Sequence, residues 1–288
     1  MRILNKCIGV VGSTTIDDIV SPDGKISKLG GATTYAGITY RRHAIDVFII
    51  SNVAPDDRII TDRLEKENII VFNGESDRTT HFINTIRNNS RRQEVFNRSR
   101  PILHRQLLRA AKHAGGWHLS PLHPDDIEPK VLTELPRTDL KIFLDVQGYT
   151  RKVAKRAVLP AASSLLPAAL SAAHIIKANG AEIRLILEHF QKDLPAIMKS
   201  FEIEEAVITL GREGGWVQTR EGLKVNYNAN RLETVADPTG AGDVFFAAYL
   251  LSRFIKNRGI ADACQYAAKI AARQVEGTYI SLDRLVLT

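Results

Sequence analysis

Asp237-Pro238-Thr239-Gly240-Ala241-Gly242-Asp243-Val244-Phe245 joins a turn-forming string to an apolar run. Val244, Ala247, Ala248, Leu251 and Ile255 recur at helical spacing, so a helix starts near Asp243. Gly240 and Gly242 allow a tight backbone turn in front of it. The first N–H groups of a helix have no intrahelical partner, and the helix dipole adds partial positive charge there. Such an end suits phosphate oxygens. An aspartate at the same end lies close to a phosphate bound there and can accept a proton from an attacking hydroxyl. Phosphoryl transfer needs positioning, charge neutralisation and such a base. The competing reading of Asp243 is an ordinary helix cap, and the rest of the chain weighs between the two.

Outward from this stretch, short β-rich runs alternate with helix-like ones. The strand-like runs are Cys7–Gly12, Asp46–Asn52, Trp117–Ser120, Lys141–Val146, His174–Lys177 and Ala206–Leu210. Most are continuously apolar, as strands covered on both faces are. Ile59–Glu67, Ile102–His113 and Asp125–Leu135 read as helices between them, which gives βαβ units on a mostly parallel sheet. Ala263, Ala267, Ile270 and Ala271 mark a further amphipathic helix after the one at Asp243. Ala157–Ala173 reads as buried helix with a break near Pro167.

Two regions depart from this pattern. Pro22-Asp23-Gly24-Lys25 is a tight-turn signal between short polar strands. Thr79–Arg87 and Arg92–Asn97 alternate around Asn88-Asn89-Ser90, as a β-hairpin does. Together they predict a small accessory sheet over a site at the sheet's carboxyl edge.

The net charge of +7 favours anionic ligands without choosing among them. Two cysteines far apart, Cys7 and Cys264, form neither a disulfide framework nor a metal spacing. The eight histidines have no metal spacing either, and His118 and His123 read as structural. Met1-Arg2-Ile3-Leu4-Asn5-Lys6-Cys7 lacks the apolar region of a signal peptide, and no apolar stretch is long enough to span a bilayer. A cytoplasmic protein without membrane or nucleic-acid partners is expected.

The string ending at Phe245 resembles the signature of the ribokinase-like (PfkB) carbohydrate kinases, Asp-Thr-Thr-Gly-Ala-Gly-Asp followed by Phe. Other stretches resemble that family in the same order along nearly the whole chain. The resemblance implies an α/β fold: one ribokinase-like domain over residues 1–288, with a three-layer core, a mostly parallel sheet, and a small β lid from about 13–37 and 73–100. It implies Asp243 as general base, with Gly240, Ala241 and Gly242 forming the anion site. Gly30-Gly31 looks like the glycine pair that contacts substrate and hinges the lid, and Asp17 like the aspartate that binds substrate hydroxyls. Asn179 and Glu182 resemble the Asn-x-x-Glu motif near Mg²⁺ and the phosphates, Glu182 acting through water. Thr209, Gly211 and Gly214 resemble the turn beside ATP. The family uses the loop of Asp237 and Thr239 for a monovalent cation such as K⁺, and these side chains could equally hold the turn by hydrogen bonds.

Two departures bear on the acceptor. Tyr35 stands where many sugar kinases of the family have asparagine, and Asp145-Val146-Gln147-Gly148-Tyr149 with Arg151 differs from the common Asp-x-Asn form. Myo-inositol kinases look more like this version. Arg87, Arg91, Arg92, Arg98 and Arg100 cluster in the expected lid, either as a charged edge or as a site for an anionic substrate. The expected activity is an ATP- and Mg²⁺-dependent kinase of a small sugar or polyol. The alternatives are a nucleoside kinase, for which Tyr35, Phe82 and Phe96 could supply stacking, and a non-catalytic nucleotide- or sugar-binding regulator. A homodimer is left open. A nicotinamide dehydrogenase is disfavoured, because Val11-Gly12-Ser13-Thr14 lacks G-x-G-x-x-G.

Overall fold

The computed structural model describes residues 7–22, 24–87 and 90–287. Asp23 of the first expected turn, Asn88 and Asn89 of the second, and the first six residues of the chain lie outside the described residues. The chain opens with β1 (Cys7–Val11), leaves for the hairpin β2 (Thr15–Ser21) and β3 (Gly24–Gly30), and returns through α1 (Ala32–Arg42) to β4 (Asp46–Ser51). After α2 (Ile59–Lys66) and β5 (Ile70–Asn73) comes a second hairpin, β6 (Thr80–Arg87) and β7 (Ser90–Asn97). Then follow α3 (His104–Ala110), β8 (Ala114–Leu119), α4 (Pro129–Glu134) and β9 (Lys141–Asp145). A third hairpin, β10 (Arg151–Ala154) and β11 (Ala157–Pro160), precedes α5 (Leu166–Ala172), β12 (Ile175–Asn179), α6 (Gly180–Phe190) and α7 (Leu194–Ser200). The chain closes with β13 (Glu205–Thr209), β14 (Gly215–Thr219), β15 (Lys224–Tyr227), α8 (Ala241–Leu250), α9 (Ile260–Val275) and α10 (Leu282–Leu285).

The main sheet has the order β15-β14-β13-β12-β9-β8-β1-β4-β5. Its pairs from β13 to β5 are parallel, and only β13–β14 and β14–β15 are antiparallel. Side chains alternate through it. Val47 and Ile49 of β4 enter one core with α1, α2, α8 and α9, while Phe48 and Ile50 enter the other with α3 to α7. This two-sided burial explains the continuously apolar strand runs, and it makes three layers.

The three hairpins form a second sheet, in the order β10-β11-β7-β6-β2-β3. Residues 15–21, 24–30, 80–87 and 90–97 fall in it. The third hairpin corrects the sequence reading, in which Ala157–Ala173 was one broken helix. Ala157–Pro160 is strand, and helix begins only at Leu166, with Pro167 in its first turn. Val153 and Val158 pack against a small core of Ala32, Phe82, Val95 and Leu122. A partner surface supplied by distant residues overrides local helix propensity here, and Pro167 starts the helix instead of breaking it. Among the described residues, no helix is long and apolar enough to cross a membrane.

Candidate active site

A cavity of about 1300 Å³ lies between the carboxyl ends of the main-sheet strands and the second sheet. Open α/β sheets place ligands at that edge. Asp17, Gly31, Tyr35, Asn179, Thr209, Gly211, Gly214 and the Gly240–Asp243 turn all line it. Residues far apart in sequence therefore meet around one volume. Gly30, Glu182 and Asp237 are not among its lining residues.

The turn before α8 has the shape its sequence requires. Gly240 is the N-cap, with φ +76°, a left-handed conformation that suits glycine. A Cβ at Gly240 would come within 2.3 Å of the Tyr35 ring. Tyr35 is thus the floor beneath the turn as well as part of the cavity wall, and it is 1% exposed. The Gly242 and Asp243 N–H groups sit in the first turn of a ten-residue helix, where no intrahelical acceptor exists.

Asp243 is also in this first turn, set deep in the protein but open to the cavity. Burial pushes its carboxyl up to about 7, against Lys177 and Arg151, while Asp145 and Glu182 add to the rise. A carboxylate poised near neutrality suits a general base. Lys177 is itself buried, and its Nζ donates to Asp145 Oδ2 at 2.8 Å. Burial works against its charge, but Asp145, Glu182 and Asp243 outweigh that and raise its pKa. The two residues are cross-strand neighbours on β9 and β12.

Asn179 caps α6, its side-chain oxygen accepting from the Ala181 and Glu182 N–H groups at 2.9 and 3.0 Å. Glu182 Oε2 accepts from the Asn179 N–H at 2.8 Å, which completes a capping box. Burial raises the Glu182 pKa, and Lys177 is the largest opposing influence. Among the described residues, no cluster of three or more His, Cys, Asp or Glu is arranged to hold a metal ion.

At the other end, Asp17 is buried, and its Oδ1 accepts from the Thr15 hydroxyl at 2.7 Å. A Cβ on Gly30 would lie 2.3 Å from the Asp17 carboxyl carbon, so that glycine makes room for the carboxylate. The neighbouring Asp18 is turned away to Lys25, Ser27 and His81. Asp237 is held by the Lys28 ammonium, and its other oxygen accepts from the Thr239 N–H at 2.9 Å.

Several cavity residues were not singled out as site residues from the sequence. Lys177, and behind it Asp145, which holds Lys177 but does not itself line the cavity, were legible in principle as charges beside apolar strand residues. Gln147 and Arg151 lie in the string already noted as departing from the family pattern, and Arg151 Nη1 reaches Gln93 Oε1 at 3.4 Å. The lid arginines behave differently. Arg92, Arg98 and Arg100 pair with Glu94, Asp125 and Asp77 at the surface, and none of the three lines the cavity. The side chain of Arg91 lies outside the described residues. Phe96 is 46% exposed, against His81 and Arg156 instead of in the cavity.

No curated protein sequence matches the chain. Among solved structures it is similar to a pyrophosphate-dependent kinase of the ribokinase family in a sulfate complex. The TM-score is 0.83 at 19% identity, over 96% of this chain and 98% of that one. It is also similar to a pyrophosphate-dependent kinase of that family complexed with a pyrophosphate analog and myo-inositol, with TM-score 0.81 and 19% identity over 96% and 97% of the two chains. The Burkholderia thailandensis nucleoside kinase in complex with inosine gives TM-score 0.76 and 18% identity, over 93% and 90%. These likenesses extend to the fold. The model of the pfkB family carbohydrate kinases matches residues 41–283, most of the chain and all of the turn that ends at Asp243, and by that match the chain belongs to the pfkB family of carbohydrate kinases.

Proposed function

We propose that the chain transfers the γ-phosphate of ATP to a hydroxyl of a small sugar or polyol, with Asp243 as general base. The observation that carries this reading is the placement of Asp243. It faces, from a helix N-terminus, the cavity that a glycine turn fit for phosphate and a buried carboxylate, Asp17, fit for hydroxyls, also line. Asp243 takes the acceptor hydroxyl's proton as the oxygen bonds to phosphorus and the bond to the leaving ADP oxygen breaks. The Gly242 and Asp243 N–H groups face the charge that develops on the phosphoryl oxygens. Lys177 keeps positive charge beside them, and Arg151 approaches from the second sheet. Bound Mg²⁺ would neutralise phosphate charge, with the phosphates themselves as its main ligands and Glu182 acting through water.

The donor end supports a nucleotide. Leu232, Val235, Ala268, Ala271, Ala272 and Val275 give the cavity an apolar slot beyond the glycine turn. A flat base fills such a slot, whereas pyrophosphate, named for the kinase in two of the similar structures, has nothing to place there. The acceptor end supports a polyol over a nucleoside. Of the three aromatic side chains considered for stacking on a base, Tyr35 lies under Gly240 and Phe96 faces outward, which leaves Phe82 beside the polar Asp17, Gln93 and Gln147.

A screen over sugars, polyols and nucleosides, reading ADP release with Mg-ATP and orthophosphate release with pyrophosphate in parallel, tests the reading. ATP-dependent turnover on a sugar or polyol is the expected result. Turnover only with pyrophosphate, or only on nucleosides, overturns the donor or the acceptor assignment respectively.

A further inference from the structure

Lys28 is fully buried, at 0% exposure, on β3 of the second sheet. Its Nζ donates to Asp237 Oδ2, at the start of the loop that ends in the glycine turn and the base. A buried ammonium without a partner is costly, so this ion pair fixes the loop to β3. The loop is tied from the other side as well. The Ala236 and Asp237 N–H groups both donate to the Val275 carbonyl, at 2.9 and 3.1 Å. Buried Gln274 donates from Nε2 to the Thr239 carbonyl at 3.4 Å, and its Oε1 accepts from the Ile280 N–H at 3.1 Å.

This arrangement does not fit a monovalent metal cation on Asp237 and Thr239. Such an ion needs several oxygen lone pairs. Here an ammonium sits on Asp237 Oδ2, and the Thr239 N–H and the Gln274 amide each take up one lone pair, of Asp237 Oδ1 and of the Thr239 carbonyl. A second cation beside the Lys28 ammonium would also meet direct repulsion in a partly buried site. We propose that Lys28 is the built-in cation of this loop, a positioning residue that holds the phosphate-binding turn and makes turnover independent of K⁺ and other monovalent metal ions. The inference rests on the reading of Gly240–Asp243 as the phosphate site.

The test compares wild type and Lys28→Met in KCl, NaCl and tetramethylammonium chloride at equal ionic strength, measuring initial rate and melting temperature. Wild type is expected to show the same rate and the same melting temperature in all three salts. Lys28→Met is expected to lose about a hundredfold in rate in the organic salt, because the turn is misplaced. KCl should restore at least part of that rate and raise the variant's melting temperature by about 5 °C, as the metal enters the vacated space. The wild-type arm needs no variant to fold, and the melting arm needs no turnover. If the chain phosphorylates nothing in the screen, the thermal response still decides whether Lys28 stands in for a metal. Wild type activated several-fold or stabilised by K⁺ relative to the organic cation overturns the proposal. So does a Lys28→Met protein with wild-type rates and no response to K⁺.

Discussion

The two ends of the cavity are built in different ways. The proposed phosphate end is mostly backbone, from one contiguous turn, Gly240 to Asp243, on the N-terminus of α8. The proposed acceptor end is mostly side chains brought in by separate strands: Asp17 from β2, Phe82 from β6, Gln93 from β7 and Arg151 from β10. A backbone site tolerates few residue types at each position, because glycines and a helix start must fall in a fixed order. A side-chain wall can change one residue at a time without disturbing the strands that carry it.

Substitutions at the two ends should therefore fail in different ways. The largest effect is expected at the base. Asp243→Asn keeps the shape of the turn but cannot take the proton, and kcat should fall by about 10²–10⁴ with ATP binding retained. Calorimetric titration with ATP beside the rate assay separates the two, and a variant within threefold of the wild-type kcat would remove Asp243 from the mechanism.

At the acceptor end the loss should appear in KM. Charged hydrogen bonds to hydroxyls are worth about 1.5–3 kcal/mol each, so Asp17→Ala should raise KM for the acceptor roughly tenfold to several hundredfold. KM for ATP should stay the same. Arg92→Ala, which removes only a surface pair with Glu94, should change neither constant. If Arg92→Ala alone matters, and only for a phosphorylated acceptor, the neutral-polyol reading fails.

The pH profile of wild type sharpens the account of the phosphate end. The Asp243 carboxyl is pushed up to about 7 in the folded protein. A base must be ionised to act, so kcat/KM should rise with pH and level off above about 7, falling by about tenfold per unit well below it. A flat profile between pH 5 and 8 would show that the titrating base is not Asp243 in this environment. The smallest effect belongs to the apolar slot. Ala271→Phe should fill it and raise KM for ATP by about tenfold, with kcat and the acceptor KM little changed. An unchanged KM for ATP would place the base elsewhere and reopen pyrophosphate as donor.

The same contrast explains what the sequence made legible. The main sheet could be read because both of its faces are buried, which leaves unbroken apolar runs such as Val47–Ile50. The glycine turn could be read because its conformation restricts its residues. β10 and β11 could not, because Ala157–Pro160 has no strand pattern of its own and is held by packing against Phe82 and Val95. The Lys28–Asp237 pair spans 209 positions, and nothing near either residue marks the other. Glu182 stood out by its spacing from Asn179, which two roles share: a charge near Mg²⁺, and the helix cap its hydrogen bond forms. Spacing alone does not separate those roles, and a Mg²⁺ titration of Glu182→Gln does.

Phosphorus NMR of a reaction with Mg-ATP and the best acceptor from the screen tests the central claim most directly. The account predicts one new phosphomonoester resonance that grows in step with ADP, and no such resonance with Asp243→Asn. Inorganic phosphate with ADP and no ester, or AMP with a pyrophosphorylated product, would contradict transfer of the γ-phosphate to a hydroxyl.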